Sequence, residues 1–173
     1  TLPYSGAVYC QAFPAECTET FQAGHVRAFA FFGGVPTRIS YDNSRIAVAK
    51  FVGGRGETPT REFLRLESHY LFDHHFCRIR RGNEKGSVEN AVGFCRRNFM
   101  VPVPHFDDFE TFNQYLEERC RQDQARTLRG RSAPKGERLV EDRKAMRPLP
   151  KRTFEARRVE PTRANSLSLV RFH

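Results

Sequence analysis

Apolar and polar positions along the chain mark out its elements before any chemistry is considered. Residues 7–13 (AVYCQAF) are rich in β-branched and aromatic side chains and follow a turn-like LPYSG, which predicts a strand. A helix capped near Thr18 comes next, with Phe21, His25, Ala28 and Phe32 at helical spacing and Gly33-Gly34 ending it. His25 stands in that apolar stripe and is expected to be a packed helix residue rather than a ligand. TRISYD then predicts a short strand with Ile39 and Tyr41 on one face, closing on Asp42. Strand, helix and strand in that order predict an α/β domain with a crossover connection.

Beyond Asp42, residues 43–59 are expected to begin with a turn of helix and end as a loop around Gly53, Gly54 and Gly56. A second helix is expected from a Thr58 cap and Pro59, burying Phe63, Leu66 and Tyr70. DHHFCRIR predicts another strand and RGNEKG a turn. SVENAVGFCRRNFM predicts a helix with Val88, Val92, Cys95 and Phe99 inward. PVPHF breaks the chain, after which Asp107 and Glu110 suggest a capping box, and Phe109, Phe112, Leu116 and Cys120 form an apolar stripe. Past Gln124 the texture changes. RTLRGRSAPKGERL is basic, punctuated by Pro and Gly, and linker-like. LVEDRKAMRPLP has room for one short helix, and SLSLVRFH predicts the start of a strand.

Charge adds a second division. The net +9 of the 173 residues is uneven: residues 1–120 hold 14 Lys+Arg and 14 Asp+Glu, whereas residues 121–173 hold 15 and 6 and supply the whole excess. A neutral body with a basic tail suits a polyanion, and Arg126, Arg129, Arg131 and Lys135 are the tail's candidate DNA contacts. A solvated arm whose charge only aids solubility is the plain alternative. The five scattered cysteines include no CxxC pair, which predicts reduced thiols in a cytoplasmic protein. His74, His75 and Cys77 crowd together, but adjacent strand residues point to opposite faces and no second ligand pair follows at finger spacing. No window approaches a membrane span, so no membrane partner is expected.

Two acids carry the candidate chemistry. Asp42 is expected at the carboxyl end of a strand, where open α/β sheets place their sites, and Glu89 near the start of a helix. Carboxylates gathered around hard divalent cations suit phosphodiester chemistry. At 100° per residue Lys85, Glu89 and Arg96 fall within about 40° of one another, provided the helix reaches Lys85. On spacing alone the ordinary account is the better one: a first-turn Glu favoured by the helix dipole, with a routine ion pair. Arg96 and Arg97 on the same grounds are a solvated face.

Three blocks alter that balance: AFFGGVPTRISYDNSRIAV, then HYLFDHHFCRIRRGNEKGSVENAVGFCRRNFMVPVP, then RPLPKRTFEA. In order, and over nearly the whole chain, they resemble the IstA-type insertion-sequence transposases of the retroviral-integrase superfamily. The resemblance implies an RNase H-like catalytic core with a DDE carboxylate triad. Asp42 of YDN matches the second metal ligand and Glu89 of KGSVE the third, while Asn43, Lys85 and Arg97 match nearby motif positions that contact DNA. It also implies two Mg²⁺ or Mn²⁺ ions, DNA partners (element ends and target), a homo-oligomer on DNA, an ATPase helper and action at the bacterial nucleoid.

The first aspartate of such a triad stands upstream of anything matching LPYSG, and only Glu16 and Glu19 precede Asp42 here. The expectation is therefore an α/β chain: an incomplete core (1–104) lacking its first strand or strands, an amphipathic helix packed on it (105–124), a basic linker (125–158) and the start of a small C-terminal β domain (159–173). The function expected is DNA transposition by metal-dependent nicking and strand transfer in a longer parent, the isolated piece being inactive. The alternatives are a non-catalytic DNA-binding remnant and another RNase H-like nuclease or resolvase.

Overall fold

The structure, a computed structural model, describes residues 1–41, 48–51, 57–77, 82–157, 163–164 and 166–170, with the backbone alone for 48–51, 57 and 82–90. Its element order is α1 (Thr18–Phe32), β1 (Arg38–Tyr41), β2 (Val48–Phe51), β3 (Glu57–Pro59), α2 (Arg61–Tyr70), β4 (Asp73–Phe76), α3 (Gly82–Phe99), α4 (Phe109–Asp123) and α5 (Lys135–Ala145). The class is mixed α/β.

α1 forms where its apolar spacing places it, with Cys17 as cap and the Thr20 hydroxyl accepting from the Cys17 N–H at 3.0 Å. It ends at Gly33, whose φ of 77° lies in the left-handed region that glycine enters without steric cost. Gly34 serves a different purpose: a Cβ there would stand 2.9 Å from Met146 Cβ. The bare backbone lets the chain after α5 pair with Val35, which exchanges two 2.9 Å hydrogen bonds with Arg147. The GG of FFGGVP is thus one helix stop and one close approach.

β1 and β4 pair in parallel, Arg38 opposite Asp73 through Tyr41 opposite Phe76. Parallel strands need a crossover, supplied here by the β2–β3 pair and α2. That pair corrects the expected helical turn and loop: Val48–Phe51 and Glu57–Pro59 form an antiparallel ladder, as the β-branched and aromatic content of VAKF favours. Because β3 takes Thr58 and Pro59, the cap of α2 moves to Thr60, whose hydroxyl accepts from the Phe63 N–H at 3.2 Å. The cap of α4 likewise moves one residue, to Asp108, which accepts from the Thr111 N–H at 2.7 Å.

The expected strand over 7–13 has no ladder partner among the described residues. The Asn113 side chain on α4 takes that place at one point, donating to the Ala12 carbonyl at 2.9 Å and accepting from its N–H at 2.7 Å. Residues 166–170 also carry no ladder, and Leu167, Leu169 and Val170 are exposed.

Two apolar clusters flank α1. Phe29 joins Val35, Tyr41, Phe63, Leu66, Tyr70, Phe72 and Phe154 on one side. Phe31 and Phe32 join Leu2, Ala7, Val8, Cys95, Phe99, Leu116, Cys120 and Leu139 on the other. All five cysteines are free thiols, and Cys10 Sγ lies 3.7 Å from Cys120 Sγ within the second cluster.

Leu139 and Phe154 come from the basic stretch of linker-like composition, which lies packed on the body. Lys135 is 3% exposed and its ammonium meets Asp123 at 2.5 Å. Arg143 Nε donates to the Phe32 carbonyl at 2.7 Å, and Asp142 accepts from the Ser5 N–H at 3.1 Å. The first anchor ties α5 to the end of α4, and the other two tie it to the first third of the chain. Among the described residues no helix is long and apolar enough to cross a membrane.

Candidate functional site

Asp42 and Asn43 lie outside the described residues, and Lys85 and Glu89 are described in backbone only. Tyr41, the last residue of β1, stands opposite Phe76, and its carbonyl accepts from the Cys77 N–H at 2.9 Å, so the carboxyl ends of the two parallel strands finish side by side. Asp42 is the next residue after that end.

α3 begins at Gly82, not near Ser87, despite the glycines at 82 and 86. Two consequences follow for Glu89. It stands about two turns inside the helix, so Glu84 rather than Glu89 occupies the first turn, and the helix dipole does not account for an acid at position 89. The helix also reaches Lys85, which completes the predicted face of Lys85, Glu89 and Arg96, and an ordinary i,i+4 pair with Lys85 remains available there.

One cavity relates α3 to β1. About 440 Å³ in volume, it is lined by Ala91, Val92, Cys95 and Arg96 of α3 together with Ser40 of β1 and Cys10. Ser40 is two residues before Asp42, and Ala91 two after Glu89. A residue two positions from each acid therefore lines the same cavity.

Beneath the strand end, the Tyr41 side chain turns inward. Its hydroxyl lies 2.9 Å from His25 Nε2, and His25 Nδ1 lies 2.8 Å from the Phe21 carbonyl. That pattern fits a neutral ring with Nδ1–H donating to the carbonyl and Nε2 accepting from the phenol. His25 is a packed residue, as its place in the stripe predicts, but one that also supports the base of β1.

Burial pushes the His25 imidazole below its ordinary value, opposed in part by the Phe21 carbonyl, and burial raises Tyr41. An unfolded His takes up its proton near pH 6.5, whereas the folded ring does so only at lower pH. His25 thus leaves stability undiminished above that point and removes it as pH falls below, by at most about 1.4 kcal/mol per pH unit. We expect the urea midpoint to drop between pH 7.5 and 5.5, and to drop less in His25→Gln. An equal drop in the variant would assign the effect elsewhere.

The remaining candidates separate. Arg96 and Arg97 are exposed in the last turn of α3. Arg129 and Arg131 are exposed in the turn before α5. Arg126 pairs with Asp123 at 3.2 Å and lies 5.0 Å from the Phe94 ring centre. Lys135 is buried on the same aspartate, 5.1 Å from that ring, so its charge is turned inward and unavailable to a ligand at the surface. His74 Nδ1 lies 2.6 Å from a Glu67 carboxylate oxygen, and His75 meets Ser40 on the other face. No group of three His, Cys, Asp or Glu gathers for a metal among the described residues, which include neither acid side chain of the candidate pair.

No protein-family model matches the chain. Individual relatives do. It is 39% identical over 129 residues to a transposase of Aminobacter aminovorans, covering 75% of this chain and 25% of that protein. It is 35% identical over 120 residues to the transposase for insertion sequences IS1326/IS1353 of Pseudomonas aeruginosa, covering 69% and 24%. The transposase for insertion sequence element IS21, also of Pseudomonas aeruginosa, matches at 33% over 156 residues, covering 90% and 40%. The chain thus spans about a quarter to two fifths of the length of these three relatives. Over most of its length it belongs to the transposases of the IS21 and IS1326 kind of insertion sequence.

Proposed function

We propose that the chain is part of the catalytic core of a DNA transposase with an RNase H-like fold, and that Asp42 and Glu89 are two of its three metal-binding carboxylates. The observation that carries this is the shared border: the carboxyl end of β1, which leads into Asp42, and the stretch of α3 just after Glu89 line one cavity. A carboxylate cluster requires a strand-end acid and a mid-helix acid to meet in one place, and the shared border supports that reading.

The donor set fits a hard divalent cation. Carboxylate oxygens suit Mg²⁺ or Mn²⁺, whereas the nearby thiols Cys10 and Cys95 would favour a softer ion. Bound there, a pair of ions would neutralise charge developing on the phosphoryl oxygens during nicking and joining. The protein's own residues then have separate tasks. Asp42 and Glu89 hold the site, and Asn43, Lys85, Arg96 and Arg97 orient the DNA backbone near it. Arg129 and Arg131, which are exposed, contact DNA further away. A homo-oligomer synapsing two ends, assisted by an ATPase inside the cell, belongs to the same reading.

Glu16 and Glu19 precede Asp42 but stand beside and within the first turn of α1, so neither supplies the third carboxylate in this reading. The isolated chain is accordingly expected to bind DNA and to catalyse little. The test uses a longer protein that contains these residues: with Mg²⁺ it should nick and join element-end DNA, and EDTA should stop both steps. Joining that persists in EDTA would overturn the metal assignment.

A further inference from the structure

A basic groove lies apart from the candidate carboxylate site. Its volume is about 680 Å³, and one wall is the outer face of α2 while the other is the extended chain after α5. Residues 61, 64, 65, 68 and 69 recur along one side of α2, opposite the buried Phe63, Leu66 and Tyr70. The second wall is held in place rather than draped. Phe154 is 9% exposed and packs in the cluster with Tyr70, and His69 Nε2 donates to the Arg152 carbonyl at 2.9 Å.

Four arginines line this groove: Arg61, Arg65, Arg152 and Arg157. Arg65 pairs with Glu62 at 2.6 Å and Arg157 with Glu155 at 2.8 Å, both surface pairs of small energetic value. Arg61 and Arg152 are exposed and pair with no acid among the described residues. Arg61 is the first residue of α2, at the helix end that disfavours a cation.

We propose that this groove binds the phosphate backbone of duplex DNA, outside the region of chemistry. The inference rests on the DNA-processing reading above but places a contact where that reading has none. The groove's charge complements a polyanion, its walls are fixed, and guanidinium groups donate to phosphate in bidentate fashion. Its Arg61 and Arg152 are the free charges, so each should release counterions on binding.

The test measures affinity of the whole chain for a duplex of arbitrary sequence by fluorescence anisotropy across a salt series. Arg61→Gln/Arg152→Gln is compared with Arg121→Gln/Lys144→Gln, which removes the same charge from exposed sites elsewhere. The groove variant should lower the slope of log K against log salt by about 1.8. That is about 60-fold weaker binding at 0.1 M salt if affinities converge at 1 M. The control variant should keep the wild-type slope, and both should keep the wild-type melting temperature. Equal losses in the two variants, or none in the groove variant, would overturn the groove while leaving the DNA reading intact. Wild-type protein that does not bind duplex DNA at low salt would overturn both.

Discussion

Glu89→Gln, and separately Asp42→Asn, should lower strand transfer by on the order of a thousandfold or more in a longer transposase that contains this chain. The arithmetic rests on charge. Metal ions at a phosphoryl-transfer site supply several kcal/mol of transition-state stabilisation, and each 1.36 kcal/mol lost is tenfold in rate. Both replacements keep size and hydrogen-bonding capacity but remove the negative charge that would balance the cation. DNA binding should change little, because the basic residues assigned to it are untouched. Strand-transfer rates and a filter-binding isotherm on the same preparations check both halves. Activity at the wild-type level in either variant would remove that residue from the site.

Asp123→Ala is expected to have the largest effect on stability. Asp123 and Lys135 are 5% and 3% exposed and 2.5 Å apart, so the substitution leaves an ammonium buried without a partner. Breaking a buried pair from one side costs about 3–5 kcal/mol. Removing both charges is a different matter: Asp123→Leu/Lys135→Met should recover most of the loss, since a buried pair and an apolar pair of similar volume are nearly equivalent. Urea denaturation of the three proteins reads this directly. A double variant as unstable as Asp123→Ala would mean that the pair has a role in packing that apolar side chains cannot fill.

The effect should also extend to the candidate site. The charges of Lys135 and Arg126 stand over the Phe94 ring of α3, 5.1 and 5.0 Å from its centre, and α3 is the helix that carries Glu89. The segment after α4 therefore braces that helix. In the longer protein, Asp123→Ala should reduce strand transfer beyond its loss of folded protein.

Sequence patterns foretold the elements whose signals are local. α1 announces itself through Phe21, Ala28 and Phe32 and through Gly33, whose positive φ is met in the structure. β1 and β4 have the alternation and composition of strands, although only the structure gives their parallel register. The start of α3 was hidden by Gly82 and Gly86, which favour a turn over a helix interior by local propensity. The β2–β3 pair was hidden because its strands are four and three residues long and its ladder is a relation between segments.

The region after α4 shows the limit most clearly. Its composition is that of a linker, yet Leu139, Arg143, Arg147 and Phe154 each find a partner far away in sequence. Single anchors spaced among charged residues leave no periodic trace. The site divides in the same way. Asp42 and Glu89 were marked by motif resemblance, whereas the cavity that relates their two segments, and the Arg61–Arg152 groove, depend on contacts between segments far apart in sequence.

The most direct test of the central claim is paramagnetic line broadening of backbone amide NMR signals by Mn²⁺, carried out on this chain. If Asp42 and Glu89 form one divalent-metal site, the amides of Asp42, Asn43 and Glu89 should broaden first and together, excess Mg²⁺ should reverse it, and Glu89→Gln should weaken the broadening at Asp42. Broadening centred on other acids, or broadening at Asp42 that is indifferent to Glu89→Gln, would contradict a shared site.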